Sequence, residues 1–345
     1  MLGISCYFKD LDYDYLEYAA NLGAKYVFTS LHIPEEDLSQ LDTMLPKFLD
    51  KCQELNLNLV PDISPMTFEK LNIEPNNYVG LKEKGFKVLR LDYGFDDFEI
   101  IKTLLQDFEL VLNASVVDEQ YIIDAKAHGV DFTHISVMHN FYPKTETGLS
   151  LDYFNKKNEA FIKYNIPIMA FVPGDRLKRF PLYEGLPTVE KHRQVHPYVA
   201  AVELIHSCGI QDILIGDSLA HNETLRYIQS YMEDKTMHIP VYLDKAYASM
   251  YEQPYAIRKD LSENVIRLAT PRIPDIAINN NNYRNKGSIT IENTLSGRYS
   301  GEIQLTKKDF MMDARTNVIG FIHPDYIDLV HYMERDTRIV FVPIS

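Results

Sequence analysis

A chain of 345 residues, 46% hydrophobic and 24% charged, has the make-up of a soluble globular protein and is too long for one ordinary core. Its net charge of −14 comes without a basic stripe, which excludes nucleic acid as a partner. No apolar run nears the roughly 18 residues that cross a bilayer, which excludes a membrane span.

The acidic excess is lopsided. Residues 240–345 carry thirteen basic and thirteen acidic side chains, so the whole excess belongs to residues 1–239. Solubility accounts for most of it, and an anionic substrate would need a local arginine cluster. Cys6, Cys52 and Cys208 are odd in number, far apart and without a CxxC pair, so buried reduced thiols are expected. The opening segment has no basic leader and meets acidic residues by Asp10, so no signal peptide is expected and the cytoplasm is the expected compartment.

Eight short β-branched or aromatic runs follow in order: Leu2–Phe8, Lys25–Thr29, Leu57–Ile63, Lys87–Tyr93, Leu110–Ser115, Phe132–Val137, Ile166–Val172 and Asp212–Gly216. Between them the apolar spacing is helical, over Leu11–Leu22, Leu41–Leu55, Phe98–Leu105, Glu119–His128, Leu151–Tyr164 and Pro197–Cys208. Gly23, Gly85, Gly129 and Gly209 each stand just past a helix, where a left-handed residue ends it before the next strand. Strand, helix, glycine, strand at a period of about thirty residues predicts parallel strands with crossover helices, and eight such units predict a (β/α)8 TIM barrel. A doubly wound open sheet is the competitor, but no GxGxxG turn follows the first strand.

After a last helix near Glu223–Met232, the stretch Asp234–Pro240 reads as a linker. Short segments then predict a small, mainly antiparallel β domain: Val265–Leu268, Ser288–Ile291, Glu302–Leu305, Val318–Ile322 and Arg338–Val342. The expected division is a catalytic barrel over 1–234 and a β domain over 235–345.

Barrel enzymes carry their chemistry at the C-terminal strand ends and the loops that follow. Asp62, Asp92 and Asp217 each end an apolar run, where an unpaired carboxylate is costly. The plain alternative is an Asp that caps the next helix. Converging carboxylates repel, so one takes a proton and an acid/base pair results, as glycoside hydrolysis requires. Asn113, His139 and Asn140 are neutral groups suited to sugar hydroxyls, and His32 is a weaker candidate. The loop after strand seven is long and holds Arg176, Lys178, Arg179, Lys191 and Arg193. It is either a solvated basic face or an anion site, since barrel phosphate sites often follow strands seven and eight. No HxH or HExxH spacing supports a metal, and no strand-end lysine supports Schiff-base chemistry.

Several motifs carry a family resemblance: Gly3-Ile4-Ser5-Cys6-Tyr7, Phe28-Thr29-Ser30-Leu31-His32-Ile33-Pro34-Glu35, Val60-Pro61-Asp62-Ile63-Ser64, Leu89-Arg90-Leu91-Asp92-Tyr93-Gly94, His139-Asn140-Phe141-Tyr142-Pro143 and Gly185–Arg193. In the C-terminal part they are Thr270-Pro271-Arg272 and Tyr283–Thr290. With these the whole chain resembles the bacterial 6-phospho-N-acetylmuramidases, glycosidases of peptidoglycan recycling with a TIM barrel and a cyclophilin-like β-barrel. The resemblance implies hydrolysis of N-acetylmuramic acid 6-phosphate β-1,4-linked to N-acetylglucosamine, a cytosolic phosphorylated disaccharide, with no cofactor. Its phosphate and lactyl carboxylate would need cations. Arg193 and Arg272 are the first choices, with Arg176 and Arg284 behind them. The carboxylate set chosen from strand position is Asp62, Asp92 and Asp217, with Glu190 as a reserve acid. Two other readings stand beside this one: a metal-dependent sugar-phosphate isomerase or epimerase, and a carbohydrate- or peptide-binding protein. A homo-oligomer is compatible with the sequence.

Overall fold

The structure is a computed structural model, and it describes residues 1–31 and 41–344. The chain divides into two compact units, Met1–Gln229 and Ser230–Ser345.

In the first unit eight parallel strands close into a barrel in sequence order. They are β1 (Leu2–Ser5), β2 (Tyr26–Ser30), β3 (Asn58–Ile63), β4 (Val88–Leu91), β5 (Glu109–Asn113), β6 (Ile135–Met138), β7 (Ile168–Val172) and β8 (Asp212–Ile215). This is the (β/α)8 barrel that the strand count predicts. Gly3 of β1 stands opposite Tyr26 on one side and Leu214 on the other, and closes the cylinder. A Cβ there would fall 2.9 Å from Leu214 Cγ, so the closing strand needs glycine. Segment six is shorter than its sequence suggests, because Phe132–His134 forms a 3-10 turn after Asp131 caps it. Two short helices, Pro65–Lys70 and Tyr78–Glu83, also lie outside the predicted set. The main helices start on Asp12, Asp97, Asp118 and Ser150, whose side chains accept backbone N–H bonds in the first turn. Gly23, Gly85, Gly129 and Gly209 all adopt positive φ, as their place past the helix ends predicts.

The strand alternation decides which side chains fill the bore. Phe28, Val60, Val88, Val111, Met138, Met169, Phe171 and Leu214 form one packed interior cluster. Two residues beyond Phe28, Val60, Val88, Val111 and Met138, the same inward phase gives Ser30, Asp62, Arg90, Asn113 and Asn140. The apolar bore therefore ends in a polar layer at the C-terminal mouth. Cys6, Cys52 and Cys208 are buried free thiols.

The second unit is one mostly antiparallel seven-stranded sheet. Its strands are β9 (Thr236–Leu243), β10 (Pro254–Ala256), β11 (Val265–Arg267), β12 (Ser288–Glu292), β13 (Ile303–Thr306), β14 (Thr316–Ile322) and β15 (Arg338–Pro343), in the order β10-β15-β9-β14-β12-β13-β11. The Asp234–Pro240 stretch is thus not a linker. Most of it belongs to β9, which pairs parallel with β15 and antiparallel with β14. Pro240 disguises it, but Met237, Ile239 and Val241 alternate and are all fully buried. Among the described residues no helix is long and apolar enough to cross a membrane.

Candidate active site at the barrel mouth

Arg90 organises the mouth. Its guanidinium rises from β4 in phase with Val88, and its side chain is only 3% exposed. Nη1 donates to Asp62 Oδ1 at the end of β3 and stands 3.7 Å from Asp92 Oδ1 just past β4. Nη2 donates to Asn140 Oδ1 after β6. A buried cation without partners would be costly; two carboxylates and one amide face its two terminal nitrogens, while its buried Nε has no partner among the described residues. Asn113 at the end of β5 donates to Asp92 Oδ1 at 3.0 Å, and Asn140 donates to Ser115 Oγ at 3.3 Å. Strands three to six therefore bring Asp62, Asp92, Asn113 and Asn140 into one network, four of the candidates read from the strand ends. Side-chain exposure rises from 12% at Asp62 to 26% at Asp92, so Asp92 is the carboxylate more open to a ligand.

Asp217 does not join them. It follows Gly216, one residue out of phase with Leu214, so it leaves the bore. Its fully buried carboxylate accepts backbone N–H bonds from Gly174 at 2.7 Å, Arg179 at 2.9 Å and Leu186 at 3.1 Å. Burial pushes its proton affinity up and the three amides pull it back. Asp217 thus pins the two ends of the loop after β7. Gly174 leaves room for it, since a Cβ there would lie 2.8 Å from Asp217 Cβ.

Glu190 and Arg193 are likewise taken up by loop structure. Glu190 accepts from Arg193 Nε and Nη2, both at 2.7 Å, and from the backbone N–H groups of Glu146 and Gly148 at 2.8 and 2.7 Å. The Arg193 bonds hold its pKa down at about 2, where it gives up no proton near neutrality. Arg193 is buried and also donates to the carbonyls of Gly185, Tyr142 and Lys144. Its donors fasten the loop after β6 to the loop after β7 and leave little for a substrate anion.

His139 lies one residue out of the bore phase, beneath the helix Leu151–Lys163. Its ring packs on Phe154, its Nε2 meets Asn158 Oδ1 at 2.7 Å, and burial lowers its pKa to about 4. It is a neutral core histidine rather than a sugar ligand. Arg176 is exposed on the loop after β7. In the second unit Arg272 pairs with Glu302, and Arg284 lies 5.0 Å over the Phe310 ring and donates to the Met311 carbonyl. His32 falls outside the described residues.

Sequence reasoning passed over Arg90 and held Arg179 only as one member of the basic loop. Arg90 could have been found, because a charge in phase with Val88 inside a doubly buried strand marks a polar centre. Arg179 gave less signal among its basic neighbours. It is 5% exposed, and its guanidinium lies 4.4 Å over the Tyr7 ring, 5.4 Å from Phe180 and 5.9 Å from Phe141. Among the described residues no three His, Cys, Asp or Glu side chains are grouped to hold a metal ion.

An eight-stranded parallel barrel with carboxylates and amides gathered at its C-terminal mouth is a frame of the kind glycosidases use. Residues 2–230 match the family model described as 6-phospho-N-acetylmuramidase, N-terminal, and residues 237–342 match its C-terminal counterpart, so the chain belongs to this family. Among solved structures, a conserved protein of unknown function from Enterococcus faecalis is 28% identical with a TM-score of 0.87, covering 99% of this chain and 96% of its own. An uncharacterized B. cereus protein is 24% identical with a TM-score of 0.77 and 99% coverage of both chains, a likeness of fold. No curated protein matches the chain.

Proposed function

We propose that this chain hydrolyses the β-1,4 bond of N-acetylmuramic acid 6-phosphate linked to N-acetylglucosamine and releases the two sugars, a step of cytoplasmic peptidoglycan recycling. The observation that carries the reading is the pair Asp62 and Asp92 on one buried guanidinium at the mouth, in a chain whose two halves both match the family. Asp62, ion-paired to Arg90, is assigned the charged role at the anomeric carbon. Asp92, the more exposed, is assigned proton transfer to the leaving oxygen and then from the attacking water. Asn113 and Asn140 offer amides for the sugar hydroxyls.

Two oxygens that share Arg90 Nη1 in this way stand no more than about 6 Å apart. That supports retention, for which carboxyl groups stand about 5–5.5 Å apart, over inversion, which needs roughly 6.5–9.5 Å. The test incubates the purified chain with the phosphorylated disaccharide and with its unphosphorylated form. Cleavage of the phosphorylated sugar is expected, with the β-anomer of the phosphosugar appearing first by proton NMR. No cleavage sinks the function, and a first-formed α-anomer sinks the assigned geometry.

A further inference from the structure

We propose that Arg179 is the anion anchor of the barrel site and receives an oxyanion of the substrate on the fork formed by its Nε and Nη2. Both atoms are buried and have no hydrogen-bond partner among the described residues. Buried donors in folded proteins are almost always paired, and an unmet charged pair is among the costliest. These two nitrogens point in parallel, the arrangement that takes a carboxylate or phosphate by two bonds at once.

The surroundings place the guanidinium at the mouth. Tyr7, beneath the guanidinium, continues the inward phase of Gly3 and Ser5, and its hydroxyl donates to the Gly216 carbonyl just past β8 at 2.7 Å. Phe141, also beside it, packs edge-on against Phe28 and Phe171 of the bore. Arg179 therefore stands on the side of β7, β8 and β1, while Asp62, Arg90 and Asp92 occupy the side of β3 and β4. Tyr7, Phe180 and Leu186 form a small apolar cluster around the cation, which strips water from it and strengthens any anion contact. Lys9 Nζ, 4.3 Å from the Phe180 ring, adds positive charge. Asp217 fixes the loop by taking the backbone N–H of Arg179 itself and leaves the guanidinium untouched. Because Nε and Nη2 are sealed, the anion reaches them when the covering side chains part. The same loop carries Leu182 and Tyr183 exposed at its tip.

The identity of the ligand rests on the glycosidase reading, and a phosphate ester and a carboxylate fit the fork equally. Binding to the full chain is therefore measured by calorimetry with N-acetylglucosamine 6-phosphate, N-acetylmuramic acid and uncharged N-acetylglucosamine, for wild type, Arg179→Gln and Arg179→Lys. Arg179→Gln should weaken one charged sugar about a hundredfold, leave N-acetylglucosamine unchanged, and be partly rescued by Arg179→Lys. A loss confined to the phosphosugar assigns the fork to phosphate, and one confined to N-acetylmuramic acid assigns it to carboxylate. Wild type that binds neither charged sugar, unchanged affinity in the variant, or equal loss for the uncharged sugar overturns the proposal. If Arg179→Gln does not fold, wild-type crystals soaked with N-acetylmuramic acid 6-phosphate decide: an oxyanion on Nε and Nη2 supports the anchor and one held elsewhere refutes it. None of these readouts needs turnover. Anion binding without cleavage would sink the hydrolase reading alone, and cleavage with an inert Arg179 would sink the anchor alone.

Discussion

Asp217→Asn separates a catalytic carboxylate from a loop fastener. In the wild type one oxygen takes the N–H groups of Gly174 and Leu186, and the other takes that of Arg179. An asparagine oxygen turned toward the first pair sets its NH2 against the Arg179 N–H, donor against donor in a fully buried place. One hydrogen bond is lost, the other two lose their charge assistance, and a buried N–H is left unmet. Together these cost about 2–4 kcal/mol. For a unit of this size the melting temperature should fall by about 5–15 °C. The cost should also show as slackened substrate binding, because the pinned loop carries Arg179. Thermal unfolding followed by circular dichroism, with kcat and KM measured well below the transition, makes the comparison. An unchanged melting temperature combined with a kcat loss of about a thousandfold would refute the assignment and return Asp217 to the chemistry.

Asp92→Asn should do the opposite: lower kcat/KM by about a thousandfold while the melting temperature stays within about 2 °C, and a parallel loss of folding would make Asp92 structural. His139 sets an acid limit on stability. Its pKa is about 4 when folded and near 6.5 when unfolded, so the unfolded chain takes up the proton first and stability drains away as pH falls between those values. Urea unfolding should show about 2 kcal/mol more loss between pH 7 and pH 5 for wild type than for His139→Gln, and matching losses would show that the buried ring does not titrate this way.

Sequence reading reached the barrel because parallel strands covered on both faces need long apolar runs, and the crossover helices need glycine exits. It reached half of the site for the same reason. Asp62, Asn113 and Asn140 stand two residues beyond Val60, Val111 and Met138, so the bore phase carries them inward, and Asp92 continues Val88 and Arg90. The same arithmetic, applied to residues 214 and 217 or 138 and 139, excludes Asp217 and His139. Strand position alone is blind to that half-turn of the pleat. Loop residues obey no such period. Nothing local distinguishes Arg176, which is exposed, from Arg179, which is buried over Tyr7, because the partner that selects between them lies just past the first strand, far away in the chain. Glu190 and Arg193 look like free charges in sequence, but each finds its partners in the neighbouring loop.

The Arg193 fastening also bears on how the fold can be altered. A guanidinium that holds carbonyls at 142, 144 and 185, and a carboxylate that holds N–H groups at 146 and 148, make residues 142–148 and 185–193 one cassette. Grafting 142–148 alone from another barrel would strand the buried Arg193, and grafting 185–193 alone would leave the carbonyls at 142 and 144 and the N–H groups at 146 and 148 unmet, so a change of substrate range in this scaffold should require both loops to be exchanged together.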